Sequence, residues 1–210
     1  MEDEATRAGD LEEAVLADDL DEGVDLGGRA GHLDRHRLAV GVDRGTTVSL
    51  RRVAGPVLIH SPFGVDARLT QAVHETVGMR GVAVDIVSDL PLGRGMGSSA
   101  ALAVALVRAQ AELDGHPLSD SETHARALRV ETVFHGTPSG IDNAVAASGG
   151  VLRFQRTSDG PVWEHLPTVD LPVVVIDSGS AGDTRELVQG VRSRHPANTP
   201  ILHAIADITE

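Results

Sequence analysis

The segment PLGRGMGSSAALAVAL, residues 91–106, constrains this chain more than any other stretch. Glycine falls at Gly93, Gly95 and Gly97, two serines follow, and a run of good helix formers begins. Glycine reaches backbone conformations closed to other residues and lets a ligand approach the main chain. A helix that starts here opens with unpaired N–H groups and the positive end of its dipole. Together these make a site suited to phosphate. Ser98 and Ser99 add hydroxyls for a phosphate oxygen or a hydrated magnesium ion. No Gly-Lys-Ser/Thr follows, which excludes a Walker loop, and the Gly-x-Gly-x-Gly spacing is not the dinucleotide fingerprint. The competing reading is a plain strand-to-helix turn with Ser98 as N-cap. Loop composition alone leaves both open.

The rest of the 210 residues bounds the answer. Hydrophobic content of 41% and charged content of 23% are globular values. Only four aromatic residues occur (Phe63, Phe134, Phe154 and Trp163), so aliphatic side chains must fill the core and stacking platforms for nucleic acid are not expected. Cysteine is absent, which rules out disulfides, thiolate nucleophiles and cysteine-ligated zinc. His32 and His36 stand four apart, but no zincin pattern surrounds them and no zinc is assigned. Residues 1–26 hold eleven Asp and Glu against a single Arg7, so ten of the thirteen net negative charges lie there. The remainder is nearly neutral, without a basic patch for nucleic acid. No long apolar segment or signal-like N-terminus is found, so no membrane span is expected and the cytoplasm is the expected compartment.

Residues 1–36 read as an acidic, disordered tail, with at most a weak helix in LEEAVLADDLDEGVDL. LAVGVDRGTTVSLRRV reads as a hairpin around DRG. PVLIHS, GVAVDIVSDLP, VLRFQ and LPVVVIDSG read as strands. Helices are expected over about Ser99 to Leu113, over LSDSETHARALRVETVFHG with Ser119 and Glu122 at capping-box spacing, over PSGIDNAVAASGG from Pro138 or Ser139, and over TRELVQGVRSR. The order is mixed α+β without regular βαβ alternation.

Two strings together carry a resemblance. Pro91-x-Gly93-x-Gly95-Met96-Gly97-Ser98-Ser99-Ala100-Ala101 resembles the ATP-binding motif of the GHMP kinases, which include galactokinase, homoserine kinase, mevalonate kinase and phosphomevalonate kinase. ETVFHGTPSGIDNAVAASGG, residues 131–150, is similar to the acidic catalytic segment in its mevalonate kinase wording. The likeness runs from about Leu38 to Arg192. It implies an α+β N-terminal domain with a left-handed βαβ crossover over residues 37–168. The start of a ferredoxin-like C-terminal domain is implied over 169–210. It implies ATP and Mg2+ as cofactors and a small-molecule alcohol, mevalonate, as substrate, with no nucleic-acid or membrane partner and a homodimer left open. By position, Asp142 matches the catalytic aspartate, and Glu131 and Ser99 match magnesium ligands. Gly93, Gly95, Gly97, Ser98 and Ser99 match the phosphate cradle, and Thr184 a threonine near the reacting phosphate. His135, inside the second string, reads as a packed or capping imidazole.

These roles suit phosphoryl transfer, which needs positioning, charge neutralisation and a group that orients the attacking hydroxyl. Asp142 fits the last; Glu131 and Ser99 are oxygen ligands of the kind magnesium takes. Taken singly, Glu131 and Asp142 also read as solvated helix carboxylates. Three departures from the family pattern stand beside the likeness. The N-terminal lysine motif has only an echo at Gly31 and His32, and no lysine occurs anywhere. Arg29, Arg35 and Arg37 are the candidates to replace its charge. The C-terminal glycine-rich motif is not found, and the stretch from Gly115 to Glu131 is short. A gene truncated at both ends, or frame-shifted at its start, is the expectation these suggest. It leaves three readings: a mevalonate-directed kinase, another GHMP kinase of small alcohols, or an inactive fragment.

Overall fold

The computed structural model describes residues 6–7, 13–16, 36–136, 138–157 and 160–167. The predicted strand LPVVVIDSG, the predicted helix TRELVQGVRSR and Thr184 lie outside them, as does the whole of 169–210.

Two four-stranded sheets organise the described chain. The first joins β1 (Thr6–Arg7), β4 (Thr46–Pro56), β6 (Arg80–Ser88) and β5 (Leu58–His60), in the order β1-β4-β6-β5. The second joins β2 (Glu13–Leu16), β3 (His36–Val42), β7 (Val151–Thr157) and β8 (Gly160–Leu166), in that order and antiparallel throughout. Residues 6–7 and 13–16, expected within a disordered acidic tail, therefore pair as strands with β4 and β3. The weak helix expected over LEEAVLADDLDEGVDL gives way to β2 over Glu13–Leu16, whose partner is the open edge of β3.

The expected hairpin around DRG does not form. β3 and β4 form as strands as predicted, but they belong to different sheets. The reason is what each strand covers. Ala39 of β3 packs in a cluster with Ile141, Ala144, Val145, Leu152 and Phe154. Val48 and Leu50 of β4 pack in the larger cluster with Leu69, Val84, Val104 and Leu106. The partner is set by the core each strand faces, since backbone pairing is available to both.

Four helices follow. α1 (Ala67–Val77) links β5 to β6, which pair in parallel, so the connection is a βαβ crossover. It was not predicted, though Asp66 caps it by accepting from the Leu69 N–H at 2.7 Å and Gly78 ends it at φ 85°. α2 (Ser98–Leu113) fills the predicted range with one extra residue. Ten of its sixteen residues are buried, mostly alanine and valine, which makes it a helix covered on most of its circumference. It packs on β4, α1, α3 and α4. α3 (Asp120–His135) starts at the predicted capping box. α4 (Ile141–Ser148) starts later than expected, because Gly140 is its N-cap. β8 was not predicted; its Trp163 lies opposite Phe154 of β7. No helix among the described residues is long and apolar enough to cross a membrane.

Candidate functional site

The four helix N-termini fall into two kinds. α1 and α3 are closed by side chains, Asp66 and the reciprocal Ser119–Glu122 pair. α2 and α4 instead start at left-handed glycines, Gly97 (φ 63°) and Gly140 (φ 87°), with no side-chain cap. Ser98 is thus not the N-cap but the first helical residue, and it is buried. The loop leading to α2 also turns at Gly93 (φ 65°) and Gly95 (φ 72°). Three left-handed positions in five residues demand glycine. They expose main chain ahead of a helix whose first-turn N–H groups carry partial positive charge. A Cβ at Gly95 would meet nothing within 4 Å, so that side of the loop is open space.

At the foot of this loop three side chains from two helices meet. The Ser99 hydroxyl donates to Glu131 Oε1 at 2.7 Å, across 32 residues of sequence. The His135 ring lies 2.9 Å from Ser99 Oγ and 3.2 Å from Glu131 Oε1 through Nε2. Since the serine proton is given to Glu131, the imidazole is the donor to Ser99 Oγ and carries its proton on Nε2. Glu131 is 2% exposed. Burying a carboxylate is costly without partners, and Ser99 and His135 supply them on one oxygen only. Oε2 is buried with no hydrogen-bond partner among the described residues.

That oxygen decides whether magnesium fits. A buried carboxylate oxygen without a partner among the described residues, beside a serine hydroxyl at a phosphate-type loop, is an oxygen donor set of the kind magnesium takes. Among the described residues no group of three or more His, Asp or Glu stands ready to hold a metal unaided. An ion here would draw most of its ligands from substrate and solvent.

Asp142 stands on the first turn of α4, a position the helix dipole favours for a carboxylate. Its helix start is anchored by buried His124 of α3, whose Nε2 donates to the Gly140 carbonyl at 3.0 Å. The same ring sits 4.7 Å from that of Trp163. Burial lowers the His124 pKa below the ordinary 6.5, against a smaller upward pull from the Gly140 bond. A Cβ on Gly140 would come within 3.2 Å of His124 Nε2, so glycine is required for space as well as for φ. The Ile141 N–H makes a long bond of 3.4 Å to Ser139 Oγ.

Of the sequence candidates, the structure brings Ser99 and Glu131 into contact and strings Gly93, Gly95, Gly97 and Ser98 along the loop before them. His135, read from the sequence as a packed or capping imidazole, joins them through Ser99 Oγ. Its spacing of four from Glu131 puts both on one face of α3, a signal present in the sequence.

Known proteins resemble this chain in sequence and in fold. Residues 67–150 match the GHMP kinases N terminal domain. The mevalonate kinase of Thermococcus sibiricus is 36% identical over 178 residues, 79% of this chain and 52% of that protein. The Pyrococcus furiosus mevalonate kinase is 37% identical over 161 residues, 75% of this chain and 46% of that protein. The crystal structure of mevalonate kinase from methicillin-resistant Staphylococcus aureus superposes with a TM-score of 0.53 at 26% identity, over 80% of this chain and 57% of that one. The chain spans about half the length of the curated relatives it matches. Residues 67–150 match the GHMP kinase N-terminal domain, and the chain is similar to mevalonate kinases over about half of their length.

Proposed function

We propose that this chain supplies the nucleotide-binding part of an ATP-dependent kinase that phosphorylates the primary alcohol of mevalonate. The observation that carries the reading is the Ser99–Glu131 contact at the foot of the glycine loop. It joins the two sequence motifs in space, as a metal-assisted phosphoryl transfer site needs. Gly93, Gly95 and Gly97 let main chain close on the phosphates, and Ser98 and the first turn of α2 offer N–H donors. Ser99 and Glu131 would hold Mg2+, which neutralises phosphate charge when bound. Asp142 orients the alcohol and takes its proton, the task of a positioned carboxylate. Thr184 belongs to the reading as a phosphate contact by sequence position. The reading also includes a left-handed β5–α1–β6 crossover and a ferredoxin-like domain that begins in 169–210.

The test is an assay coupled to ADP formation, with mevalonate, homoserine and galactose as acceptors. ADP release that depends on mevalonate and magnesium is the expected result. Turnover with one of the other alcohols instead would overturn the substrate, and no magnesium-dependent nucleotide binding would overturn the kinase reading itself.

A further inference from the structure

The two oxygens of Glu131 are treated unequally. Oε1 accepts from Ser99 and lies 3.2 Å from His135 Nε2, while Oε2 has no hydrogen-bond partner among the described residues. A carboxylate held by one hydroxyl alone can rotate and exchange its oxygens. A ring 3.2 Å from that oxygen and hydrogen-bonded to the serine that holds it opposes this, and His135 supplies that ring. The ring also fixes the serine: its N–H occupies one Ser99 lone pair and the serine proton goes to Glu131, which leaves one lone pair over. We propose that His135 is a positioning residue for the divalent metal. Its Nε2–H, given to Ser99 Oγ with the ring 3.2 Å from Glu131 Oε1, keeps Glu131 Oε2 and the second Ser99 lone pair as the atoms left for the ion.

A histidine in the last turn of α3 also suits the helix dipole. That effect places a cation near the helix end. It does not turn the ring onto a serine of another helix, 36 residues away in sequence. Partners that orient metal ligands are worth about 10- to 100-fold in metal affinity, which sets the size of the effect.

The inference rests on the kinase reading, and its test separates the two. Mn2+ binding to the full chain with ADP present is followed by electron paramagnetic resonance, and ADP binding without metal by calorimetry. The proteins are the wild type, His135→Leu, which keeps bulk and loses the donor, and His135→Gln, which keeps an N–H near the Nε2 position. The leucine variant should bind Mn2+ about 10- to 100-fold more weakly, with metal-free ADP affinity unchanged. The glutamine variant should recover most of the loss. Equal Mn2+ affinity in wild type and leucine variant overturns the proposal, and so does a glutamine variant as weak as leucine. Should the leucine variant fail to fold, the wild-type ring decides. Its 15N resonances should shift when Mg2+ is added to the ADP complex, and a ring indifferent to Mg2+ overturns the proposal. A wild-type chain that binds no metal nucleotide takes the kinase reading down with it.

Discussion

Replacing Gly97 by alanine separates the loop's backbone geometry from its ligand chemistry. Gly97 caps α2 at φ 63° and ψ 18°. An L-residue held there costs about 1–2 kcal/mol, because its Cβ crowds the following carbonyl. Gly115 supplies the control. It follows the other end of α2 at φ 73°, and a Cβ there meets nothing within 4 Å. Gly115→Ala should therefore lose the same roughly 1–2 kcal/mol through backbone strain alone. For a domain of this size each variant should melt about 2–8 °C lower than wild type. Their nucleotide binding should differ. In Gly97→Ala the methyl group stands at the helix start proposed to meet the phosphates, so ATP affinity by calorimetry should fall by roughly tenfold, equivalent to about 1.4 kcal/mol. Gly115→Ala should bind as wild type does. Equal losses of affinity in both variants would show that the loop effect is only destabilisation. Unchanged melting temperatures in both would refute the strain reasoning.

Three further outcomes follow from particular groups. Asp142→Asn should lower kcat by roughly a hundredfold or more with ATP affinity nearly unchanged, because a general base acts on the hydroxyl in the transition state; steady-state kinetics with nucleotide titration checks this. Ser119→Ala removes the capping box of α3 and should cost about 1 kcal/mol in chemical denaturation. The Ser119 hydrogen bonds lower the Glu122 pKa below 4.5, so the contribution of this cap is present above that value and is lost as pH falls through the lowered folded value; the Ser119→Ala variant should show a shallower acid limb. Burial likewise lowers the His124 pKa, so its stabilisation is complete above the ordinary 6.5 and is lost as pH falls through the lowered folded value. His124→Gln should flatten the stability–pH curve on the acid side of 6.5, and an unchanged curve would remove His124 as its cause.

Local chemistry made some elements legible and tertiary choice hid others. Ser119 and Glu122 announce α3 because both halves of the cap lie within four residues. The glycines before Ser98 announce α2 for the same reason. α1 carries equal signals, Asp66 before it, Leu69, Ala72 and Val73 on one face, and Gly78 after it, and is as legible in the sequence as α2 and α3. The DRG hairpin was a different kind of error. Alternation correctly marks β3 and β4 as strands, but it says nothing about which of two cores each must cover. β8 was obscured by Pro161 and by exposed positions that break the apolar pattern, and it is recognisable by its register, with Trp163 against Phe154. At the site, the motifs named Ser99 and Glu131 separately. Their contact spans 32 residues and follows from helix packing, which no spacing rule encodes.

That packing gives the alanine run of α2 a role beyond filling the core. Ala100, Ala101, Ala103, Ala105, Ala109 and Ala111 are all buried, and α2 is flanked by β4, α1, α3 and α4. Small side chains let neighbouring backbones come close, which is how one helix can be enclosed by so many partners without steric strain. Glu131 and His135 reach Ser99 from α3 through direct hydrogen bonds, with no intervening space for water. An extra methylene at the α2–α3 contact would have to be absorbed by movement of one helix, since a close-packed core tolerates overpacking poorly. A site held by hydrogen bonds near 2.8 Å loses them with shifts of well under 1 Å. The precision of the Ser99–Glu131–His135 cluster is therefore a property of the alanines behind it. The same stretch that opens with glycines to admit a ligand continues with alanines to hold the residues that would meet it.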